Sequence, residues 1–451
     1  MHTLALCLLA TLTPIVPSSV DTAVHEYLEA TGLPGAAVAV THGKQVVRIA
    51  GYGRTATGEP VTEHTALPVA SVSKSITAYA VMRLVREGRV NLDGPVRASL
   101  PEFEMADPRA ASITVRQLLN QTSGLSDRTF AAFSGPQPRT LQERVAQLRT
   151  AGLAADPGAE FEYHNPNYQV AARLVEVVSG RPFDSYLRDN VFGPLGMPDS
   201  RTVDTAADLP GTVGHITIAG LPVAVPEPPA FGNGSGGVLS SAHDMAAWLI
   251  AQTEPGMEEM HTPAKGSYAL GWSVGRTESG ARIIKHSGDL FTATAYQALL
   301  PDSGYGIAVM TNTGVTAGDA VALAGRLIAL LENRSVPLPN VFLPRAVDLG
   351  LLLAAAGTVA LTVRGVRRRS RWIYLLSLPL VLLPSIHWVV GWLYRGRDVA
   401  WIQVAYLYPA FMIWLVVASL CGIAGLLLRM TTGSSRNLRK RRPTRSPQHT
   451  S

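Results

Sequence analysis

Three long apolar segments near the C-terminus set the strongest limit on what this chain can fold into. They cover residues 347–363, about 372–394 and 399–428. A membrane-spanning helix needs about 20 apolar residues, with a lower limit near 17, so the first segment is short and the other two are long enough. Pro379, Pro384 and His387 interrupt the second segment, which a membrane helix tolerates better than a soluble one. We therefore predict three transmembrane helices.

The distribution of charge predicts which side of the membrane each segment faces. From Arg345 onward the chain has fifteen Lys or Arg residues against two acidic ones, or +13, so the formal charge of +6 leaves −7 for residues 1–344. The basic residues concentrate in the loop 364–371 and the tail 429–451. Arginine-rich segments beside membrane helices face the cytoplasm, which places residues 20–335 outside it. We predict a multi-pass protein of the cell membrane that binds the lipid bilayer and no nucleic acid.

A short apolar stretch over residues 4–12 opens the chain and ends at Pro14. Small residues follow at Ser18 and Ser19, as they do near the cleavage site of a secretory signal. We predict a signal peptide over residues 1–19, and the alternative is a buried N-terminal helix. A secretory signal agrees with an extracytoplasmic main domain.

Cysteine usage and short motifs exclude several kinds of chemistry. The two cysteines, Cys7 and Cys421, both lie in apolar stretches, so the domain between them has neither a disulfide nor a thiolate. No H-E-x-x-H sequence occurs, so a helical zinc-peptidase site has no support. We expect neither a metal ion nor a cofactor.

Hydrophobic periodicity predicts a mixed α/β domain between the apolar ends. Residues 35–41 and 45–52 are β-branched and apolar around a Gly-containing turn, which indicates a hairpin. Helical spacing runs from Ser71 to Glu87 and stops at Gly88. We predict further helices at 140–150, 167–179, 243–252 and 317–332, and strands at 281–286, 293–300 and 305–311. A hairpin, a helical middle and closing strands predict a sheet that joins both ends of the domain.

These patterns divide the chain into five predicted segments. They are a signal peptide (1–19), a main domain (20–332), a linker (333–346), three transmembrane helices (347–428) and a basic cytoplasmic tail (429–451). The linker is predicted from its prolines, Pro337, Pro339 and Pro344, and from its weak periodicity.

Three short motifs each occur once in the chain. Ser71-Val-Ser-Lys74 is the only S-x-x-K, and at a helix start this spacing puts both side chains on one face. Tyr163-His-Asn165 is the only Y-x-N, on a predicted loop, and His286-Ser-Gly288 is the only [KH]-[ST]-G, at the end of a predicted strand. Alone, each is an ordinary capping or packing pattern. Together they point to one catalytic site.

With these motifs the chain resembles the class C β-lactamase-related serine hydrolases, a family of β-lactamases, penicillin-binding proteins, D-alanyl-D-alanine carboxypeptidases, D-aminopeptidases and esterases. The resemblance covers about residues 22–332. Supporting matches are Leu118–Leu125, Pro194–Met197, Gly236–Asp244 and Leu270–Trp272. Asn120-Gln121 departs from the Thr-His that is usual there. The resemblance implies a mainly antiparallel sheet flanked by helices, with a helical subdomain across the catalytic cleft.

The same resemblance implies a role for each motif residue. Ser71 would attack a carbonyl carbon and form a covalent acyl-enzyme, while Lys74 and Tyr163 handle the protons. A lysine serves as a base only where burial and its neighbours lower its pKa. We expect Asn165 to orient the lysine and a substrate amide, and His286 to line the strand side of the site and polarise the substrate.

The strand end formed by Ser287, Gly288 and Asp289 completes the predicted substrate site. The backbone N–H groups of Ser71 and Asp289 are our candidates for the oxyanion hole. Class C β-lactamases carry Lys-Thr-Gly at this motif, so His286 resembles the peptidase and esterase branches. The Asp289 carboxylate would also repel the carboxylate of a β-lactam. We expect this contrast to soften below about pH 6.5, where an unperturbed histidine becomes cationic.

We therefore predict a serine hydrolase that acts on peptide, ester or β-lactam carbonyls, with D-amino-acid peptides or esters favoured over penicillins. The substrate would be a small molecule or a peptide, cell-wall peptides included. The alternative is a membrane-bound sensor that captures penicillin or peptide without hydrolysing it. Turnover of the acyl-enzyme distinguishes an enzyme from a sensor.

Overall fold

The computed structural model describes residues 17–211, 213–368, 375 and 378–440, with side chains up to Leu428. The predicted signal peptide up to residue 16 lies outside the described residues, as do residues 369–371 of the basic loop and 441–451 of the tail. The chain divides into two compact units, which are described separately. The first contains the chain up to Phe130, Gln137–His215 and Ala224–Pro339, and the second contains Ala131–Pro136, Ile216–Val223 and the chain from Asn340 onward.

Ten helices precede Asn340 among the described residues. They are α1 (Pro17–Thr31), α2 (Ser73–Arg86), α3 (Val96–Ser99), α4 (Val115–Leu119), α5 (Leu141–Gln147), α6 (Pro166–Ser179), α7 (Phe183–Leu187), α8 (Gly193–Leu195), α9 (Ala242–Ala251) and α10 (Asp319–Leu331). Short 3₁₀ turns cover Ala70–Val72, Pro108–Ser112, Leu148–Thr150, Ala206–Asp208 and Glu258–His261, and a π-helical turn covers Arg188–Phe192.

The described strands are β1 (Gly35–His42), β2 (Gln45–Gly53), β3 (Leu67–Pro68), β4 (Arg201–Thr202), β5 (Gly214–Ile218), β6 (Leu221–Val225), β7 (Val238–Ser240), β8 (Ser273–Arg276), β9 (Arg282–Asp289), β10 (Thr294–Leu300) and β11 (Tyr305–Thr311). The main sheet has the order β2-β1-β11-β10-β9-β8, and every neighbouring pair in it is antiparallel. The pairing of β1 with β11 joins the two ends of the domain. This confirms the predicted mixed α/β fold with an antiparallel sheet and flanking helices.

Each face of the main sheet packs against an apolar core. Alternate residues of a strand point to opposite faces, so neighbouring residues of β1 belong to different cores. Ala37 and Ala39 of β1 pack in a core with the helical middle of the chain, including Ile76 of α2. Val38 and Val40 pack on the other face with α1 and α10. Each fully buried aliphatic side chain of valine size contributes about 1.5–3 kcal/mol through removal from water. The sheet is thus a rigid central layer.

The predicted hairpin, the four further helices and the three closing strands are confirmed to within a few residues. The helix predicted from Ser71 differs, because α2 begins at Ser73 after the 3₁₀ turn Ala70–Val72. The small sheet β3-β7-β4 was not predicted. Its strands have only two or three residues, which is too short for an alternating pattern to be recognised.

The second unit contains the helices α11 (Phe342–Arg368), α12 (Leu378–Leu393), α13 (Trp401–Leu407) and α14 (Pro409–Lys440). Two helices among the described residues are long and apolar enough to cross a membrane, namely α11 and the Pro409–Leu428 part of α14. Helix α12 is apolar but has only 16 residues. The described residues therefore contain two candidate spans, where the sequence predicts three.

Two boundaries in this unit correct the sequence analysis. Helix α11 begins at Phe342, inside the segment 333–346 that was predicted as a linker. The third apolar segment, 399–428, is not one continuous helix, because α13 ends at Leu407 and α14 begins at Pro409. Helical backbone angles are disfavoured for the residue before a proline. Tyr408 precedes Pro409, so the break between the two helices falls at Tyr408.

Candidate active site

Ser71 lies in the 3₁₀ turn that precedes α2. The turn is held against the small sheet by the Val69 backbone N–H, which donates to the Val238 carbonyl at 2.9 Å. The residue before the serine, Ala70, has a left-handed backbone with φ of 47°. A residue with a side chain pays about 1–3 kcal/mol for such a conformation, and this kind of strain clusters at functional sites. The turn presents Ser71 next to the end of β9.

Lys74 is fully buried, with no exposed surface. Its Nζ donates to Ser71 Oγ at 3.0 Å and to the Ser235 carbonyl at 2.7 Å. The same atom lies 4.8 Å from the ring centroid of Tyr163, which is a cation–π distance. Because a buried ammonium is costly unless it is hydrogen-bonded, these partners explain how the lysine is tolerated here.

Tyr163 approaches the same serine from the loop before α6. Its hydroxyl donates to Ser71 Oγ at 2.8 Å. The serine oxygen therefore accepts hydrogen bonds from both Lys74 and Tyr163. A neutral lysine amine or a tyrosine phenolate at these positions would accept the serine proton over the same short distance.

A network of buried polar contacts holds the Tyr163 loop. The His164 Nδ1 and Asp127 Oδ1 atoms lie 2.9 Å apart. Gln121 Oε1 accepts from the His164 backbone N–H at 3.0 Å and from Asn167 Nδ2 at 2.6 Å. Gln121 is one of the two residues that depart from the family pattern. Here its side chain fixes the loop that carries the tyrosine.

Asn165 immediately precedes α6. Its Oδ1 atom is buried and has no hydrogen-bond partner among the described residues. A buried acceptor without a partner costs about 1–3 kcal/mol, so such an atom in a catalytic site is a candidate for a ligand contact. An amide N–H of a substrate has the complementary chemistry.

The edge of the main sheet forms the other wall of the site. Strand β8 pairs only with residues 282–285 of β9, which leaves residues 286–289 without a strand partner on that side within the described chain. A Cβ atom at Gly288 would lie 2.2 Å from the Val69 carbonyl oxygen and 3.1 Å from the Ser71 nitrogen. Only glycine allows this approach. The strand end and the Ser71 N–H are thereby brought together, as an oxyanion hole requires.

His286 is buried, and both of its ring nitrogens are hydrogen-bonded. Its Nδ1 lies 2.6 Å from the Ser287 carbonyl, which can only accept, so Nδ1 carries the proton. Nε2 then accepts from the Tyr268 hydroxyl at 2.8 Å. Burial, with a smaller contribution from the positive charge of Lys74, lowers the pKa of His286 to about 3. The expectation that this histidine becomes cationic below about pH 6.5 is therefore wrong.

Asp289 ends β9 beside the site. Removal of water from around its carboxyl raises the pKa of Asp289, and the Lys74 ammonium opposes that shift. Because the residue as a whole is exposed to solvent, we treat the carboxyl as an anion at neutral pH. Ser287, between it and His286, pairs with Tyr296 of β10.

Three contributors to the site were missed from the sequence. Ser235 acts through its backbone carbonyl, which no side-chain motif can reveal, although it lies in the glycine-rich stretch Gly232–Gly237. Tyr268 precedes the Leu270-Gly-Trp272 match by two residues and contacts His286. Gln121 was noticed only as a departure from the family pattern. Its positive φ of 62° and its contacts became visible only in the fold.

Comparison with known proteins identifies the family. The family model described as Beta-lactamase matches residues 20–332, which is more than half of the chain. The chain belongs to this family, whose members include amidases, esterases and penicillin-binding proteins that act as serine hydrolases.

Two examples illustrate the relatives that match by sequence. Protein flp of Staphylococcus aureus (strain MW2) is 27% identical over 316 residues, which cover 65% of this chain and 62% of flp. The chain thus spans less than two thirds of that relative. Penicillin-binding protein 4 of Amycolatopsis lactamdurans is 29% identical over 346 residues, which cover 70% of this chain and 89% of that protein.

Two examples illustrate the solved structures that are similar in fold. The octameric penicillin-binding protein homologue from Pyrococcus abyssi has a TM-score of 0.60 at 25% identity, covering 75% of this chain and 81% of that chain. The D-amino acid amidase from Ochrobactrum anthropi SV3 has a TM-score of 0.58 at 22% identity, covering 70% and 99%. The second likeness shows a shared fold alone.

Proposed function

We propose that this protein hydrolyses peptide or ester bonds through a covalent acyl-enzyme on Ser71. The observation that carries the proposal is that Ser71 Oγ accepts hydrogen bonds from both Lys74 Nζ and Tyr163 Oη. A serine hydroxyl is a weak nucleophile at neutral pH, and two adjacent proton carriers are what its activation needs. The family membership supports the same chemistry.

The proposed reaction has two halves. Once the Lys74 ammonium has released a proton to solvent, the neutral amine takes the Ser71 proton while Oγ attacks the carbonyl carbon, and the N–H groups of Ser71 and Asp289 stabilise the oxyanion. The tetrahedral intermediate then collapses and breaks the bond to the leaving group. The leaving group receives the proton from Lys74 through Tyr163. Water then attacks the acyl-enzyme by the reverse sequence, releasing the acid and restoring Ser71. Each oxyanion donor contributes about 3–4 kcal/mol in comparable sites.

The charges at the strand end favour substrates without a carboxylate near the reacting carbonyl. His286 stays neutral because its pKa is about 3, and Asp289 is negative at neutral pH. A β-lactam carboxylate would find no cation from this strand and would be repelled by the aspartate. We therefore propose D-amino-acid amides, esters or peptides as substrates, including cell-wall peptides cleaved at a bond that is distant from their terminal carboxylate. The fold likeness to a D-amino acid amidase is compatible with this class.

We further propose that the protein is a multi-pass membrane protein with its catalytic domain outside the cytoplasm. The support is the pair of apolar helices α11 and Pro409–Leu428, the shorter apolar helix α12, and the arginine-rich segments 364–371 and 429–451. Three spans that begin outside end inside, so both arginine-rich segments become cytoplasmic. Two spans would leave the basic tail outside, against the charge rule.

Substrate profiling tests the proposed chemistry. The detergent-solubilised full-length protein is assayed with nitrophenyl esters, D-amino-acid amides and peptides, and a chromogenic cephalosporin. We expect turnover of an ester or a D-configured substrate, with a lower kcat/KM for the cephalosporin. Efficient cephalosporin hydrolysis with weak activity on the others contradicts the substrate class. A permanent adduct without turnover indicates the sensor alternative.

Reporter fusions test the proposed topology. One reporter follows Arg445 and a second lies within residues 20–335, and each reports the side of the membrane on which it resides. We expect the first in the cytoplasm and the second outside it. Both reporters on the same side would exclude the three-span arrangement.

A further inference from the structure

A second group of polar side chains lies away from Ser71, at one end of the small sheet β3-β7-β4. Central strand β7 is antiparallel to both neighbours, so its end lies beside their beginnings. His64 comes three residues before β3, Asp199 comes two before β4, and His243 comes three after β7. The topology therefore places one of these residues beside each strand, and all three lie at the same end of the sheet. The residues are far apart in sequence, so no spacing motif predicts their meeting.

The three side chains are close enough to share one ion. One ligand atom from each of them, a ring nitrogen or a carboxylate oxygen, lies within 4.8 Å of the other two. The His64 Nδ1 and Asp199 Oδ2 atoms are 2.9 Å apart, and the two imidazole centroids are 4.9 Å apart. Tetrahedral coordination with bonds near 2.0–2.1 Å separates donors by about 3.3 Å. Small side-chain rotations convert the observed spacing into that geometry.

Surrounding hydrogen bonds already orient two of these groups. The His243 Nδ1 lies 3.0 Å from Asp244 Oδ1, which leaves Nε2 available as a ligand. Asp244 is fully buried and also accepts from the Asp199 backbone N–H at 2.8 Å. The Ser241 hydroxyl donates to Asp199 Oδ2 at 2.8 Å. A carboxylate behind a histidine ligand is the usual second contact in metal sites, because it fixes the ring and its tautomer.

The local charge also favours a cation. The Asp199 carboxylate contacts His64 and the Asp244 carboxylate contacts His243, so two negative charges lie beside the proposed ligands. The backbone ties these elements together, since the His243 N–H donates to the Glu63 carbonyl at 3.0 Å. Two imidazoles with one carboxylate form a donor set that suits divalent transition metals, and Mg²⁺ or Ca²⁺ prefer oxygen ligands only.

We propose that His64, Asp199 and His243 bind one divalent transition-metal ion, such as Zn²⁺, with water completing the coordination. This departs from the sequence expectation of no metal, and the proposed site is separate from the catalytic residues. The ion ties together the ends of all three strands of the small sheet.

The opposite end of that sheet leads to the catalytic residues. Ser71 comes three residues after β3, and Ser235, whose carbonyl accepts from Lys74, comes three before β7. A metal clamp at the far end therefore stabilises the strands on which the catalytic turn is mounted. Its role is structural, and it does not depend on the proposed hydrolytic activity.

Metal binding to the full-length protein in detergent tests the proposal. The protein is prepared without a polyhistidine tag, stripped with a chelator and titrated with Zn²⁺ by calorimetry. We expect one Zn²⁺ per chain and a Tm that rises with Zn²⁺ concentration, because a ligand that binds only the folded state stabilises it. Affinity should fall as the pH decreases, because protons compete with the metal ion for the imidazole nitrogens.

Matched variants assign the binding to these residues. His64→Ala and His243→Ala should each weaken Zn²⁺ affinity at least ten-fold. His42→Ala is the control, since this exposed histidine also has one hydrogen bond and one ring contact, with Ser303 and Tyr305. Visible absorption of bound Co²⁺ provides a second readout, and circular dichroism verifies folding. The proposal is overturned if the parent protein does not bind Zn²⁺. It is also overturned if both histidine variants bind Zn²⁺ with the same affinity as the parent protein.

Discussion

The two units of this protein depart from ordinary burial in opposite ways. In the first unit a lysine is completely buried, and in the second large apolar side chains are exposed. Lys74 has 0% exposed surface, while Trp388 is 71% and Trp392 is 78% exposed. In water-soluble proteins the informative cases are buried charges and exposed apolar surfaces. The buried charge marks a candidate catalytic site, and the exposed apolar helices mark candidate membrane spans.

The comparison teaches that a helix of each unit is suited to different surroundings. Helix α2 of the first unit carries Lys74 among buried neighbours, and its polar side chains find partners inside the protein. Helix α11 of the second unit buries only Ala355, Thr362 and Gly365. Helix α11 has 27 residues against 14 in α2, and of the two only α11 is long and apolar enough to cross a membrane. The two helices also differ in where their polar groups lie.

The largest expected effect concerns the buried charge. Lys74→Met should lower the acylation rate by about a thousand-fold, since general base catalysis contributes 10²–10⁴-fold. The free energy of unfolding should stay within about 1 kcal/mol or rise, because replacing a buried charge with an apolar side chain is often neutral or stabilising. Acylation kinetics with a nitrophenyl ester and denaturant unfolding measure the two quantities.

The control for Lys74→Met is Thr77→Val on the same helix. The Thr77 hydroxyl donates to the Gly234 carbonyl at 2.7 Å, and its loss should cost about 1 kcal/mol of stability. It should leave acylation far less affected than the lysine variant does. If Lys74→Met instead destabilises the fold and keeps its acylation rate, the lysine is structural.

The next effect concerns the exposed apolar surface of α11. Leu353 is 64% exposed near the middle of the helix, and Leu353→Asp should reduce membrane insertion of this segment about 100-fold. Aspartate at the centre of a membrane helix costs about 2.5–3.5 kcal/mol. A translocon insertion assay of the α11 segment measures the inserted fraction.

Leu343→Asp is the matched control, since Leu343 is 67% exposed but lies at the start of the same helix. Its effect should be much smaller, because a charge near the membrane interface remains hydrated. Equal effects at both positions would indicate that α11 does not cross a bilayer.

A smaller effect concerns the stability of the first unit in acid. The unfolded chain binds a proton at His286 below about pH 6.5, but the folded protein does so only below its lowered pKa of about 3. Stability therefore falls as the pH decreases from about 6.5 toward 3, by about 2 kcal/mol at pH 5 from this group. His286→Gln should flatten this part of the stability profile. Unchanged pH dependence of denaturant unfolding would show that the histidine titrates normally.

The smallest effect concerns the charge at the end of β9. Asp289→Asn should raise kcat/KM for a carboxylate-bearing substrate roughly three-fold, because it removes a repulsion of under about 1 kcal/mol at an exposed position. An uncharged ester should show no comparable gain, and added salt should shrink the difference. A three-fold gain for both substrates would point to a steric effect instead.

Much of the fold was predictable from the sequence, because long elements leave a periodic pattern. The hairpin of β1 and β2 and the closing strands β9 to β11 were predicted. The sequence analysis also predicted that one sheet joins both ends of the domain, and the pairing of β1 with β11 confirms this. The strands β3, β4 and β7 were not, since two or three residues carry no readable period. The break at Tyr408 was overlooked because hydropathy averages over it, although Pro409 signals it locally.

The candidate site shows the same division. Ser71, Lys74 and Tyr163 were predicted from motifs, and the fold brings them into hydrogen-bond contact. The Ser235 carbonyl could not be predicted, because backbone groups have no sequence signature. The protonation of His286 was mispredicted, since its burial depends on residues distant in sequence, among them Tyr268.

Mapping the acyl adduct tests the central claim most directly. The full-length protein is treated with a serine-directed acylating probe, digested and analysed by mass spectrometry, beside Ser71→Ala and the neighbouring Ser73→Ala. The Ser73 hydroxyl accepts from the Val238 N–H, so its loss is a structural control. We predict one adduct, on the peptide containing Ser71, that is absent in Ser71→Ala and retained in Ser73→Ala. An adduct on another residue, or labelling that survives Ser71→Ala, would contradict the account.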